Sequence, residues 1–349
     1  MMAGAVITWG VGCWQTHDLS ELVADVEAAE RASFDYLWYG NEKLHPDMWM
    51  GLTAAALHSH TIRLGTFIAD PYSLHPAITA AMIATLDHYS GGRAVLVFGA
   101  GGSGLHELGL SRRKPIEALQ NAVDIARALL RGEQVDRDGP LFPAHAKLHF
   151  SARADIPIWI ASRGKRGLEL GGRIADGVML GTIARPEDIA VAVERVRAGA
   201  LSANRRLSDL TLSVRVDVVV DADRAAARDA LRSFVAGVLS ASYPDRGFLD
   251  RAGLELPTDL EDVCRTKDLR LAWASAHLVP DEVVDALTWA GTPDDVAAHI
   301  AAASDLGINN ITVVFHRAAG SPAAQLLGFA ESVVPRVNAL LGMDAFQHQ

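Results

Sequence analysis

Three stretches of this 349-residue chain put reactive side chains where a plain loop would not need them. The first is "TFIADPYSLHP" (66–76). An apolar, β-prone run stops at Asp70-Pro71, where the proline pushes Asp70 out of helical geometry. His75-Pro76 then opens a helical pattern with proline in its first turn. Asp70, Tyr72, Ser73 and His75 thus crowd a connector that usually holds a few polar spacers, and between them they could hydrogen-bond a ligand or move a proton. The second stretch is "IASRGKRG" (160–167). A small-residue turn, Ala161-Ser162, leads into Arg163, Gly164, Lys165 and Arg166 as a helix begins. Free N–H groups at a helix N-terminus beside three cations suit a phosphate. The competing reading is a solvated basic turn, but in a chain of formal net charge -10 such a gathering favours the phosphate.

The third stretch, "GAGGSG" (99–104), is literally G-x-G-x-x-G. A dinucleotide fingerprint needs a helix to start at once, so that its N-terminus meets the pyrophosphate. Here the next helical pattern waits until about Pro115, and three strand–helix units come earlier. A glycine-lined floor for a flat ring is the better reading, from Gly99, Ala100 and Gly101. "HSH" (58–60) has metal-pair spacing but precedes the third strand, and no acidic partner recurs at the other strand ends. Two solvated loop histidines, and no metal, are expected.

The elements that must position these groups alternate. Strand-length apolar runs occur at 5–11, 35–39, 62–68, 94–99, 156–161, 177–181, 210–220 and 310–315. Between them lie amphipathic segments of helical period, such as "DLSELVADVEAAERA" and "PIEALQNAVDIARALLR". Asp18 can cap the first, with Glu21 as reciprocal partner, and Thr292-Pro293-Asp294-Asp295 opens the last. Eight strands with helical crossovers predict a (β/α)₈ TIM barrel, whose core needs about 250 residues. The surplus reads as insertions after strands four (131–155, with a small hairpin) and seven (about 237–290). With no Pro/Ser-rich linker, one domain over 1–349 is expected. An open doubly wound sheet is the alternative that the count of eight disfavours. In a barrel the active site forms at the C-terminal strand ends, and all three reactive stretches fall there.

Composition narrows the partners. Half the residues are hydrophobic and 21% charged, the mix of a globular protein with a sizeable core. The net charge and the lack of a basic stripe argue against nucleic acid and anionic membranes. Cys13 and Cys264 are too few for a disulfide framework or zinc site. No stretch approaches the roughly 20 apolar residues of a membrane span, and the start shows no signal-peptide pattern. A soluble, cytoplasmic protein is expected.

The motifs "DPYSLHP" (70–76), "IATLDHYSGGRAVLVFGAG" (83–101) and "PIWIASRGKRGLELGGRIADGVML" (157–180) resemble the bacterial-luciferase-like superfamily. Within it they look closest to the branch containing methylenetetrahydromethanopterin reductase, which uses the deazaflavin coenzyme F420. The resemblance implies a (β/α)₈ barrel, a homodimer, and a ring held at the strand ends with its phosphate near strands five and six. It places a non-prolyl cis peptide at Phe67–Ile68, with Ala69 beside it, behind the middle ring. It also implies that Ala161, Ser162, Arg163, Gly164, Lys165, Gly181 and Thr182 hold the cofactor. Trp9, Trp14, Trp38 and Trp273 are candidate pocket walls, or plain core. The apolar helices 47–57 and 77–89 suggest the dimer face.

Three departures mark this chain. Methylene reductases tend to have glycine where it has Phe67. Related deazaflavin dehydrogenases carry W-x-x-D-H at strand two, where this chain reads "WYGNE" (38–42). Those relatives also place a carboxylate after strand four, where this chain has Gly102. The implied activity is hydride transfer between deazaflavin C5 and an electron-poor C=C, C=N or iminium carbon. With the usual acids missing, Glu42 is the expected proton donor, against the plainer reading of a solvated loop acid, and His45 and His75 are the reserves. An FMN-dependent monooxygenase and a non-catalytic flavin or deazaflavin carrier are the alternatives.

Overall fold

The computed structural model describes residues 7–101 and 104–343. The expected residue Gly102 therefore lies outside the described residues. In chain order the elements begin β1 (Thr8–Cys13), α1 (Leu19–Arg31), β2 (Tyr36–Gly40), α2 (Met48–Leu57), β3 (Arg63–Phe67), α3 (Pro76–Tyr89), β4 (Ala94–Phe98) and α4 (Pro115–Leu130). A hairpin of β5 (Val135–Arg137) and β6 (Ala144–Ala146) precedes β7 (Ile158–Ser162), α5 (Lys165–Ile174), β8 (Gly177–Gly181) and α6 (Pro186–Ser202). After β9 (Thr211–Val220) come α7 (Arg224–Ser242), α8 (Gly247–Ala252), α9 (Thr258–Thr266), α10 (Leu269–Ala274) and α11 (Asp281–Leu287). The chain closes with β10 (Thr288–Gly291), α12 (Pro293–Asp305), β11 (Asn310–Phe315), α13 (Pro322–Ser332) and α14 (Val334–Leu341).

The fold is the predicted (β/α)₈ barrel, with β1 to β4, β7, β8, β9 and β11 as its eight strands. The hairpin falls inside the predicted excursion 131–155, and α8 to α11 inside the segment after strand seven. The first described strand begins at Thr8, and the predicted strand positions 5 and 6 lie outside the described residues. Asp18 does cap α1, accepting from the Ser20 amide at 2.9 Å. The Glu21 carboxylate, however, accepts from the Thr16 hydroxyl at 2.8 Å instead of closing a capping box. Thr292 and Asp295 form the reciprocal box at α12.

Contacts divide the chain into two compact units. One comprises Thr8–Gly181 and Ala192–Ser213. Its strands run parallel in the order β1-β2-β3-β4-β7-β8, and they read as near-continuous apolar runs because both faces are covered. Tyr36, Trp38, Val95, Val97, Trp159 and Met179 fill the inward face. The Trp38 ring lies flat on Tyr36 at 5.0 Å and leans on Trp159. It sits opposite Gly65 of β3, where a Cβ would come within 2.2 Å of the indole. Helices α5 and α6 touch backbone to backbone through Gly172, whose Cβ would meet the Val196 carbonyl at 2.1 Å.

The second unit comprises Thr182–Val191 and the chain from Val214 onward. In it β10 pairs in parallel with the end of β9, from Thr288 opposite Asp217 to Gly291 opposite Val220. Four residues are too short for alternation to reveal, so this strand is invisible in the sequence. The insertion builds its own core, with Leu231, Val235 and Leu239 of α7 packed on Leu249, Leu260, Cys264 and Val283.

Candidate cofactor site

The end of β3 is a β-bulge. Gly65 pairs with Val95, and the next bridge joins Ala69 to Phe98. Three residues on β3 therefore span what two span on β4, the signature of one extra residue. The Phe67–Ile68 peptide within it is cis, as the resemblance implies. Side chains replace the lost ladder bonds. The Thr66 hydroxyl accepts from the Val97 amide at 2.8 Å and donates to its carbonyl at 3.0 Å. Asn41, at the end of β2, donates to the Ile68 carbonyl at 2.7 Å. Ala69 then re-enters the ladder, donating to Val97 and accepting from Gly99. Phe67, Ile68 and Ala161 cover the top of the aromatic core beneath them.

The three glycines of G-x-G-x-x-G serve packing. A Cβ on Gly99 would meet Ile68 Cδ1 at 2.0 Å, on Gly101 Leu105 Cδ1 at 2.5 Å, and on Gly104 Lys43 Cβ at 2.7 Å. Gly101 and Gly104 also adopt φ of +79° and +81°, which glycine tolerates best. Among the described residues no helix follows until α4, which does not favour the dinucleotide reading.

The polar connector is answered residue by residue. The sequence reading offers Asp70 as a group that could meet a ligand, and the structure buries it. Its carboxylate accepts from the Tyr72 and Ser73 amides, the Ser73 hydroxyl and Lys43 Nζ, at 2.7–2.9 Å. Tyr72 donates through its phenol to the Arg113 carbonyl at 3.0 Å. His75 caps α3: Nδ1 accepts from the Ala77 amide at 3.1 Å, so Nε2 carries the proton and faces the Pro143 carbonyl at 3.2 Å. That tautomer follows from the hydrogen-bond network. Both ring nitrogens are engaged in holding α3 and the hairpin loop, whose Phe142 stands edge-on to the ring. The backbone of Glu42 is clamped by Gln15, which accepts from its amide and donates to its carbonyl.

At the end of β7 the Ser162 hydroxyl accepts from the Gly164 amide at 3.2 Å, turning the chain into α5. Gly167 leaves room for that hydroxyl, since a Cβ there would sit 2.3 Å from it. Gly164 is the N-cap and supplies no side chain, so the first amides of α5 point outward without a side-chain cap. Arg163, Lys165 and Arg166 are exposed around them, with open space above Gly164 and Gly181. Among the candidate walls, Trp9 and Trp38 are core residues, Trp14 is half-buried, and Trp273 is half-exposed on α10. His58 and His60 are exposed, and among the described residues no three ligating side chains converge on a metal position.

In the second unit the sequence reading missed a buried charged group. Arg215 and Asp217 share one face of β9 and form a bidentate ion pair. Asp217 also meets His316 Nε2 at 2.7 Å, directly after β11. The same guanidinium reaches Thr182 Oγ1 at 3.4 Å. Thr182, implied as a cofactor residue, has φ +50°, an outlier for a β-branched side chain. The available signal was two charges at i and i+2 inside "LTLSVRVDVVV".

A (β/α)₈ barrel with a bulge at the end of its third strand and a cationic helix start after its fifth is the frame that the comparisons with known proteins match. The chain belongs to the luciferase-like monooxygenase family, which matches residues 1–310. It is 33% identical over 329 residues to 5,10-methylenetetrahydromethanopterin reductase of Archaeoglobus fulgidus, covering 91% of this chain and 96% of that one. It is 30% identical to the phthiodiolone/phenolphthiodiolone dimycocerosates ketoreductase of Mycobacterium tuberculosis, over 77% of this chain and 73% of that one. Among solved structures, the coenzyme F420-dependent tetrahydromethanopterin reductase of Methanopyrus kandleri superposes with a TM-score of 0.87 at 25% identity. That match covers 95% of this chain and all of the other.

Proposed function

We propose that this chain is a coenzyme F420-dependent oxidoreductase, moving a hydride between the deazaflavin and an electron-poor C=C, C=N or iminium carbon of a small organic substrate. The observation that carries this is the pairing of two features in one unit: the bulge that ends β3 and the helix terminus at Gly164, which has no side-chain cap. The first suits a flat ring and the second a phosphate. Reductases among the relatives, one of them named for coenzyme F420, favour the deazaflavin over FMN. Bound there, the deazaflavin supplies the hydride donor or acceptor carbon.

The chain's own residues bind and orient. Phe67, Ile68 and Ala69 would back the ring, with Gly99, Ala100 and Gly101 beside them, the two glycines making room for Ile68 and Leu105. Ala161, Ser162, Arg163, Gly164 and Lys165 would take the phosphate, with Gly181 and Thr182 next along the chain. The test is absorbance titration of the purified protein with F420 and with FMN. Reduced F420 is then followed with a panel of enones, imines, ketones and reduced-pterin compounds. Tight F420 binding with oxidation by one class of acceptor is expected. Binding FMN while ignoring F420 would favour the monooxygenase reading, and binding without turnover the carrier.

A homodimer is also proposed. Met50 and Leu57 of α2 and Ile78 and Tyr89 of α3 are all exposed, an apolar set that a partner would cover. Sedimentation at micromolar concentration should give twice the chain mass, and monomer alone would remove the claim. We place the enzyme in the cytoplasm. No described helix is long and apolar enough to cross a membrane.

A further inference from the structure

Past the last paired residues of β2 and β3, side chains carry the register on. Every β2–β3 pair, from Tyr36 and Arg63 to Gly40 and Phe67, joins residues 27 apart in the chain. Asn41 donates to the Ile68 carbonyl with that same spacing, and Lys43 Nζ keeps it in meeting Asp70 Oδ2 at 2.7 Å. On the other edge of β3 the spacing to β4 shortens by one between the Gly65–Val95 and Ala69–Phe98 pairs. The extra residue of the bulge is thus taken up against β4, while the strand end keeps step with β2. All of these residues belong to the unit that contains Thr8–Gly181.

A side chain is needed at Ile68 because the backbone donor has gone elsewhere. In a continued parallel ladder the Glu42 amide would donate to the Ile68 carbonyl. Here it donates to Gln15 Oε1 at 2.7 Å, and Gln15 Nε2 donates in turn to the Glu42 and Pro46 carbonyls. Asn41 Nδ2 takes its place at 2.7 Å. Only the nitrogen side of the Asn41 amide can face a carbonyl, so its orientation is set by chemistry. Ala69, the next residue, is held instead to Val97 and Gly99 on the β4 side. Phe67 and Ile68 are half-buried between buried Thr66 and Ala69, so these two carry the surface that the bulge offers.

We propose that Asn41 is a positioning residue for the cofactor ring. Its amide holds the Ile68 peptide, and with it the offered face of the bulge, in the arrangement that the ring binds. This rests on the cofactor reading above. Without that donor the bulge populates other arrangements, and ring affinity falls with the fraction still competent. The phosphate terminus at Gly164 follows β7, two strands along the sheet, and shares no hydrogen bond with Asn41.

The experiment compares wild type with Asn41→Ala and Asn41→Asp. Dissociation constants for F420 and for a deazaflavin lacking the phosphate are measured, with the absorbance of the bound ring at saturation. Asn41→Ala should weaken both compounds by the same factor, about 10–100-fold, in the range for leaving one carbonyl without its donor. Asn41→Asp keeps the size but sets an acceptor against the carbonyl, and should lose at least as much. The bound ring's absorbance should differ from wild type in both variants, which a loss of overall stability would not produce. Phosphate-free affinity within twofold of wild type, a loss confined to F420, or an unchanged bound spectrum overturns the assignment. Proton NMR of the wild-type apo protein needs no variant to fold. It should show one Asn41 side-chain amide proton protected from exchange, and two freely exchanging protons also overturn the proposal. A wild type that binds FMN but not F420 removes the F420 reading, and the same comparison is then made with FMN. A wild type that binds F420 while Asn41→Ala binds it equally well removes only this proposal.

Discussion

Asp70→Ala should lower stability by about 3–5 kcal/mol, the range for removing one partner of a buried ion pair. Asp70 is almost fully buried and meets Lys43 Nζ at 2.7 Å; the Lys43 side chain is itself only 11% exposed. Removing the carboxylate strands that ammonium beneath Gly104, against which its stem is packed. It also takes the acceptor from the Tyr72 and Ser73 amides, which turn the chain out of the bulge. Asp70→Asn keeps the shape and loses the charge, so it should fall between the two. Burial pushes the Asp70 carboxyl up, but hydrogen bonds from Lys43 and Ser73 outweigh it and hold it below the usual carboxylate range. Its contribution is therefore complete above the ordinary value of about 3.9 and is lost as pH falls through the lower folded value. Urea melts at neutral pH and below about pH 4 should show the wild-type advantage over Asp70→Asn shrinking as the medium acidifies. Equal midpoints for wild type and Asp70→Ala at neutral pH would show that the pair contributes nothing.

The contrast between Asp70 and Asp217 marks what a sequence exposes. Strands were legible because both faces of a parallel barrel strand are covered, which leaves continuous apolar runs such as "AVLVFG". Their ends were less so, since β1 and β10 are bounded by ladder pairing that no local pattern records. The connector at 70–76 stood out as a cluster, yet its roles depend on distant partners. His75 caps its own helix locally but spends Nε2 on Pro143, 68 residues away. His316 finds Asp217 across 99 residues. Both are ordinary histidines in a linear reading, and only the fold separates the one with two engaged nitrogens from the one with a nitrogen to spare. The glycines of 99–104 mislead in the same way. Their spacing matches a nucleotide motif, while the groups that exclude a Cβ are Ile68, Leu105 and Lys43. The helix terminus at Gly164 was readable because its signal is local: small residues, then cations, at a helix start.

That terminus carries the prediction with the largest effect on binding. Arg163→Ala combined with Lys165→Ala should weaken F420 binding by on the order of 10²–10⁴-fold, since hydrogen bonds to charged groups contribute about 1.5–3 kcal/mol each. Part of the site survives, because the outward amides of α5 belong to the backbone and remain. Folding should be intact. Both side chains are exposed, and exposed charges contribute little to stability. Two controls separate a phosphate contact from a general loss of charge. Wild-type affinity should fall as salt rises and the double variant's should fall less, because exposed charges are screened over a Debye length of about 8 Å at physiological ionic strength. A deazaflavin lacking the phosphate should bind both proteins alike, for the proposed ring contacts at the bulge involve neither side chain. Titration by absorbance and by fluorescence gives both constants. An F420 dissociation constant unchanged within twofold would move the phosphate elsewhere, and an equal loss for the phosphate-free compound would mean that the two cations support the ring pocket rather than the anion.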